Sequence, residues 1–161
     1  MKKFDNCENV EVRTVGLREY NAEMRGYFPD GLSRGSRRNK IKQGEVIGAF
    51  DGDRMIGIAT MKAVRDMAIL EKIEVEREYW RRGIGRRMVD SVLFAARERG
   101  LEKLMLKSVD EDSDLFYEAL GMTRIGRSRL REEDCDYGAP DMSRIFGLSQ
   151  MGSKYDYEMV L

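Results

Sequence analysis

One segment constrains the chain more than any other: LEKIEVEREYWRRGIG, from Leu70 to Gly85. An apolar run with strand alternation leads into a turn, and Gly83-Ile84-Gly85 then opens a helix. The alternation predicts a strand over Ala68–Val75, with Ile69, Glu71, Ile73 and Val75 on one parity. The helical spacing predicts a helix over Ile84–Arg99, with Met88, Val92 and Ala95 on one face and Leu93 and Ala96 alongside, closed by Gly100. Glycines in such a turn let the backbone approach a ligand without a Cβ in the way. The first turn of the helix leaves its N–H groups unpaired at the positive end of the dipole, where phosphate oxygens bind. Arg81, Arg82, Arg86 and Arg87 raise the positive potential around the same point, which suits a pyrophosphate. The plain alternative is a glycine turn at a helix start flanked by exposed arginines.

The remaining elements surround this unit. Val10–Val15 alternates and is predicted as the first strand, and Leu17–Tyr27 as a helix with Tyr20, Met24 and Tyr27 at helical spacing. Pro29, Asp30 and Gly31 break it, and residues 32–42 form a second, basic helix. Glu45–Phe50 and Met55–Ala63 are strand-like, joined by the Asp51-Gly52-Asp53-Arg54 hairpin turn. Leu104–Val109 is a strand, Asp114–Leu120 a short helix ended by Gly121, and Met122–Ile125 and Tyr155–Leu161 are closing strands. This order describes an α+β or α/β sheet carrying helices. With 161 residues and no internal repeat, the chain is expected to be a single domain, 1–161, burying about 70 % of its unfolded surface.

Composition removes much chemistry. There is no His, so a Ser-His-Asp triad, a Cys-His dyad and a His-ligated zinc site are all excluded. Cys7 and Cys135 form no CxxC pair, and no metal site is expected. No apolar run approaches the roughly 18 residues of a membrane span, and the first residues lack a leader pattern. A cytoplasmic location without membrane contact is therefore expected. Lys+Arg and Asp+Glu are both 29, so net charge gives no argument for nucleic acid. The charges are nonetheless segregated: Arg34, Arg37, Arg38, Lys40 and Lys42 in one stretch, Asp110, Glu111, Asp112, Asp114 and Glu118 in another. Solvated faces often look like this.

Two phosphate motifs can be tested on the glycine turn. A P-loop string is absent, and the dinucleotide fingerprint fails because Met88 stands at its third glycine position. An acyl-CoA site remains. Trp80-Arg81-Arg82-Gly83-Ile84-Gly85 resembles the Arg/Gln-x-x-Gly-x-Gly/Ala cofactor motif of the GNAT-superfamily N-acetyltransferases, with Trp80 departing from the usual Arg or Gln. Phe116-Tyr117-Glu118-Ala119-Leu120-Gly121-Met122 is similar to that family's Phe-Tyr-x-x-x-Gly-Phe pattern, with Met122 for the last Phe. The resemblance covers residues 45–125.

The resemblance implies a GNAT-type fold: a mixed, mostly antiparallel sheet with splayed central strands, flanked by helices. It implies acetyl-CoA as co-substrate, its pantetheine arm lying along Ile73, Glu74 and Val75 and its pyrophosphate on Arg81, Arg82, Gly83, Ile84, Gly85 and Arg86. Asp110 stands where the family often has a cofactor-binding Asn. Tyr117 matches the tyrosine near the sulfur. The acceptor groove falls on residues 17–43 and 126–154. Glu132, Glu133, Asp134 and Asp136 there suit a cationic amine on a small molecule or peptide, while Phe146, Leu148 and Met151 suit a homodimer contact.

The chemistry gives its own requirements. An amine attacks a thioester only when neutral, and a lysine-like amine has a pKa of ~10.4, so a base must take its proton. Without His, the choices are a carboxylate, a Tyr or a water chain. Glu71 shares the parity of Ile73 and Val75 and is the expected base, its plain alternative being a strand carboxylate in a salt bridge; Glu74, on the opposite parity, is the weaker candidate. The Ile73 amide would hold the oxyanion. The leaving thiolate, of reference pKa ~8.5, would take a proton from Tyr117. Transfer of acetyl to a primary amine by direct attack in a ternary complex is the expected function. A non-catalytic acyl-CoA sensor of the same fold is the other.

Overall fold

The computed structural model describes residues 9–21, 23–28, 31–108, 111–127 and 155–161. Asp110, Cys7, Cys135, the acidic run 132–136 and the apolar residues Phe146, Leu148 and Met151 lie outside them. Seven strands make one sheet in the order β1-β2-β3-β4-β5-β7-β6. They are β1 (Val10–Thr14), β2 (Val46–Asp51), β3 (Arg54–Val64), β4 (Met67–Val75), β5 (Lys103–Lys107), β6 (Thr123–Arg127) and β7 (Tyr155–Val160). Only β4 and β5 run parallel; every other pair is antiparallel. The helices are α1 (Arg34–Lys42), α2 (Ile84–Glu98) and α3 (Glu111–Ala119). The mixed, mostly antiparallel sheet with flanking helices is thus the expected one. Among the described residues no helix is long and apolar enough to cross a membrane.

The helices follow from local chemistry. The Ser33 hydroxyl accepts the Ser36 amide at 3.1 Å and caps α1. Ile84, Met88 and Val92, with Val89, Leu93 and Ala96, form a buried stripe on α2, each large side chain contributing about 1.5–3 kcal/mol by burial. Ala95, expected on that face, lies at its half-buried edge. The stripe packs on β1 to β4, and its core takes in Ile47, Ala59, Leu70, Ile73 and Leu104. A second core lies on the other face, where Met24, Phe28 and Ile41 meet Val46, Phe50 and Ile58.

The expected helix over Leu17–Tyr27 is replaced by a turn and a short 3-10 helix, Glu23–Tyr27. The Asn21 side chain accepts the Met24 amide at 3.1 Å, taking a donor that an α-helix would give to the Tyr20 carbonyl. Gly26 lowers helix propensity further. Tyr20 and Met24 still face the core as the spacing implied.

The alternation in β4 also breaks. Thr60 pairs with Lys72 but the next residue, Met61, pairs with Leu70, leaving Glu71 as the extra residue of a β-bulge. Ala68 and Leu70 before the bulge share the α2-side core with Ile73 after it. Glu71 and Lys72 therefore turn to the α1 face, and the expected shared parity of Glu71 and Ile73 does not hold.

Beyond the bulge, Gly57 of β3 faces Val75. A Cβ at Gly57 would lie 2.8 Å from the Glu74 carbonyl oxygen and 3.3 Å from Met88 Sδ. Gly57→Ala is expected to force β3 from β4 and cost about 1–3 kcal/mol. Urea denaturation should show a lower midpoint with an unchanged slope.

Candidate active site

β4 and β5 pair only over Met67–Ile69 and Lys103–Met105. β4 then runs on to Val75 with no β5 partner, so the strands splay. The direction of its backbone groups follows from the register. The Glu76 amide donates to the Ile56 carbonyl at 2.8 Å, and Val75 and Ile73 stand opposite Gly57 and Ala59. Bonded and non-bonded pairs alternate along an antiparallel ladder, so N–H and C=O of Ile73 and Val75 turn away from β3 into the gap. The Val75 carbonyl accepts the Trp80 indole N–H at 2.7 Å, which agrees with that direction.

At the mouth of the gap the chain makes a tight turn. Arg81 has φ 59° and Gly83 φ 75°, both left-handed; for Arg81 this is a strained conformation. Gly83 caps α2 with no side-chain hydrogen bond, and the first return bond is Arg87 N–H to Gly83 carbonyl at 3.1 Å. The Ile84, Gly85 and Arg86 amides thus have no partner within the helix. No acid occupies the first turn. A Cβ at Gly85 would sit 3.4 Å from Phe116 Cζ, so this glycine also seats α2 against α3.

These elements enclose a pocket of ≈ 400 Å³. Of the residues expected to hold a cofactor, Ile73, Glu74, Val75, Arg81, Gly83, Ile84, Gly85 and Arg86 all line it. Arg82 does not; its guanidinium stacks over Tyr79 at 5.6 Å. Asp110 lies outside the described residues. Four lining residues were not read from sequence: Tyr79, Trp80, Asp112 and Phe116. Trp80 could have been found, because it stands inside the glycine motif. Asp112 and Phe116 reach the pocket only through the placement of α3.

The two groups expected to move protons stand elsewhere. Tyr117 is 1 % exposed, packed in the α2-side core one residue behind Phe116, with its ring centroid 5.7 Å from that of Tyr157. Tyr157 donates to Asp114 at 2.9 Å, which anchors α3; burial, foremost, pushes its phenol up to about 12. Glu71 is buried on the α1 face with Oε2 2.6 Å from Lys40 Nζ. This contact lies off the hydrogen-bond line, and neither carboxylate oxygen is hydrogen-bonded among the described residues. Burial raises its pKa against the opposing pull of Lys40. The salt-bridge alternative is therefore what Glu71 presents, while Glu74 of the same face sits at the pocket wall, 3.0 Å from Lys72.

A second pocket, ≈ 830 Å³, opens beside the β2–β3 hairpin and the 3-10 helix. Its floor includes Glu76, which accepts the Tyr27 hydroxyl at 2.7 Å and pairs with Arg54 at 2.6 Å. Burial, then Glu76, raises the Tyr27 phenol. Arg18 and Asp53 add one charge of each sign to the walls.

Comparison with known proteins matches this arrangement. The family model described as Acetyltransferase (GNAT) family matches residues 16–122. No curated protein matches the chain. Among solved structures, a GNAT family acetyltransferase from Elizabethkingia anophelis with acetyl-CoA bound superposes with TM-score 0.66 at 16 % identity, covering 96 % of this chain and 99 % of that one. The PaiA N-acetyltransferase of Thermoplasma acidophilum, in complex with coenzyme A, gives 0.64 at 15 %, covering 94 % and 99 %. The IAA acetyltransferase of Bacillus cereus ATCC 14579 gives 0.63 at 16 %, with the same coverage. With two thirds of its length matched by one family model and the same fold in these structures, the chain belongs to the GNAT acetyltransferase family.

Proposed function

We propose that this protein transfers the acetyl group of acetyl-CoA to a primary amine of a small molecule or peptide, by direct attack in a ternary complex. The observation that carries the reading is one continuous pocket: an unpaired β4 edge at one end, a bare helix N-terminus ringed by arginines at the other. An extended amide-bearing arm fits the first, and a pyrophosphate fits the second. The acetyl-CoA and coenzyme A complexes of structurally similar proteins support it. Bound acetyl-CoA would supply an activated thioester carbonyl.

The residues then divide the work. The Ile73 amide, aimed into the gap, stabilises the oxyanion formed when the amine nitrogen bonds to the carbonyl carbon. Glu74, at the pocket wall on the face of the second pocket, takes the proton the amine loses, directly or through one water. The thiolate released as the carbon–sulfur bond breaks takes its proton from water at the pocket, since Tyr117 is buried behind Phe116 and does not line it. The amine enters from the second pocket, whose three arginines are matched by Glu19, Asp53 and Glu76. The reading includes no nucleic-acid partner: Arg37 and Lys40 of the basic stretch are both buried, Arg37 donating to Tyr20 at 2.7 Å and to the Leu32 carbonyl. A cytoplasmic location belongs to the same proposal.

One observation favours the sensor reading. Tyr117 and Glu71, the groups expected to carry protons, are both buried outside the pocket walls. Thiol release from acetyl-CoA across a panel of amines separates the readings, once a thermal shift has established CoA binding. Release with some amine supports the enzyme; binding without any release assigns a sensor.

Four variants test the roles. Glu74→Gln is expected to lower kcat about a hundredfold, and by more than Glu71→Gln; the reverse order gives the base to Glu71. Tyr117→Phe, at a ring buried behind the pocket wall, should leave kcat within about twofold, and a fall of about tenfold or more at unchanged KM for acetyl-CoA gives Tyr117 the general-acid role. Trp80 is the chain's single tryptophan, so its emission should shift on titration with CoA. Trp80→Phe frees the Val75 carbonyl, and calorimetry should show CoA binding tighter by about fivefold.

A further inference from the structure

Lys40 lies in the last turn of a short helix, yet it is only 7 % exposed. Its ammonium stands 2.6 Å from Glu71 Oε2 and 3.4 Å from Glu45 Oε2, and donates to the Met61 carbonyl at 3.0 Å. Glu45 Oε1 in turn pairs with Arg99, at the end of α2, at 3.1 Å. The cluster thus holds two carboxylates and two cations.

The places that Lys40 touches share one property. Glu71 is the extra residue of the β4 bulge, and Met61 is the first β3 residue beyond the register shift. Glu45 precedes β2, and its carbonyl accepts the Met61 amide at 3.0 Å. One ammonium therefore joins three neighbouring strands at the point where the ladder is irregular. Two residues earlier, at Ile69, β4 loses β5; two residues later lies Ile73. At a bulge the ladder no longer fixes the extra residue, so something else must. Stability alone does not call for this pair, because well-packed apolar residues commonly equal or exceed a buried ion pair. What an ion pair adds is direction: Glu71 is held wherever its carboxylate meets Lys40.

We propose that Lys40 is a positioning residue for the cofactor arm, pinning the β4 bulge through Glu71 and so fixing where the Ile73 and Val75 backbone groups point. It acts without touching the cofactor. This inference rests on the acetyl-CoA reading above.

The test uses two probes, CoA and its nucleotide half, 3′-phospho-ADP, which lacks the arm. Lys40→Met strands two buried carboxylates and is expected to melt early, so the double variant Lys40→Met/Glu71→Met carries the decision. It should melt near the native temperature and bind 3′-phospho-ADP as the native chain does, while its calorimetric Kd for CoA rises about tenfold. Native-like binding of both probes by the double variant overturns the positioning role and leaves the cofactor reading standing. An equal loss of both, or a double variant that does not fold, overturns it too, since the pair would then act on the fold as a whole. If the native chain binds neither probe, the cofactor reading falls and takes this inference with it.

Discussion

The site depends on a strand edge left open inside a sheet. Backbone N–H and C=O groups that lose water and find no partner cost about 1–3 kcal/mol each, so two central strands separate only where solvent or a ligand reaches the gap. Here β4 and β5 separate after Ile69 and Met105, and the pocket begins along the unpaired stretch. Everything else holds that gap in shape. α2 fixes one wall through Ile84 and Met88, its first turn delivering bare amides at the mouth. α3 closes the other side with Phe116, itself set by the Tyr157–Asp114 hydrogen bond. A sheet of seven strands supplies the stiffness that a two-strand hairpin lacks.

Most of this frame was legible in the sequence because it is local. The α2 stripe repeats at 3.6 residues, Gly83 needs its positive φ, and the Asp51–Arg54 hairpin carries its own turn signal. Eight of the ten expected cofactor contacts line the pocket for the same reason: they are neighbours along one strand and one turn. The bulge was illegible. β4 is covered on both faces, so Ala68, Ile69, Leu70 and Ile73 are all apolar and their spacing has no phase to read. One extra residue at Glu71 then exchanged the faces without leaving a mark in the pattern. Leu17–Tyr27 went the other way. Its helical spacing was real, but the Asn21 side chain took the Met24 amide first. Tyr117 was read from a motif that fixes position along α3 and says nothing of the depth at which the ring packs.

Charge patterning taught a similar lesson. The stretch Arg34–Lys42 read as a solvated basic face. In the fold, Arg37 and Lys40 turn inward, Arg38 is half-buried, and Arg34 and Lys42 stay exposed. A helix that must cover a sheet with few apolar residues of its own does so with the stems of long cations, and their charged ends then need buried acids. Glu45 and Glu71 fill that need for Lys40, while the Tyr20 hydroxyl and the Leu32 carbonyl hold Arg37. A zero net charge over the chain says nothing about such internal pairing.

An unpaired inner strand edge is also a hazard, since any extended peptide can add to it, including the same segment of another molecule. The indole of Trp80 sits on the Val75 carbonyl, the last acceptor before the turn. A single side chain thus breaks the row of acceptors that a foreign strand would need. The residue that departs from the family motif therefore makes the open edge a poorer template for another strand.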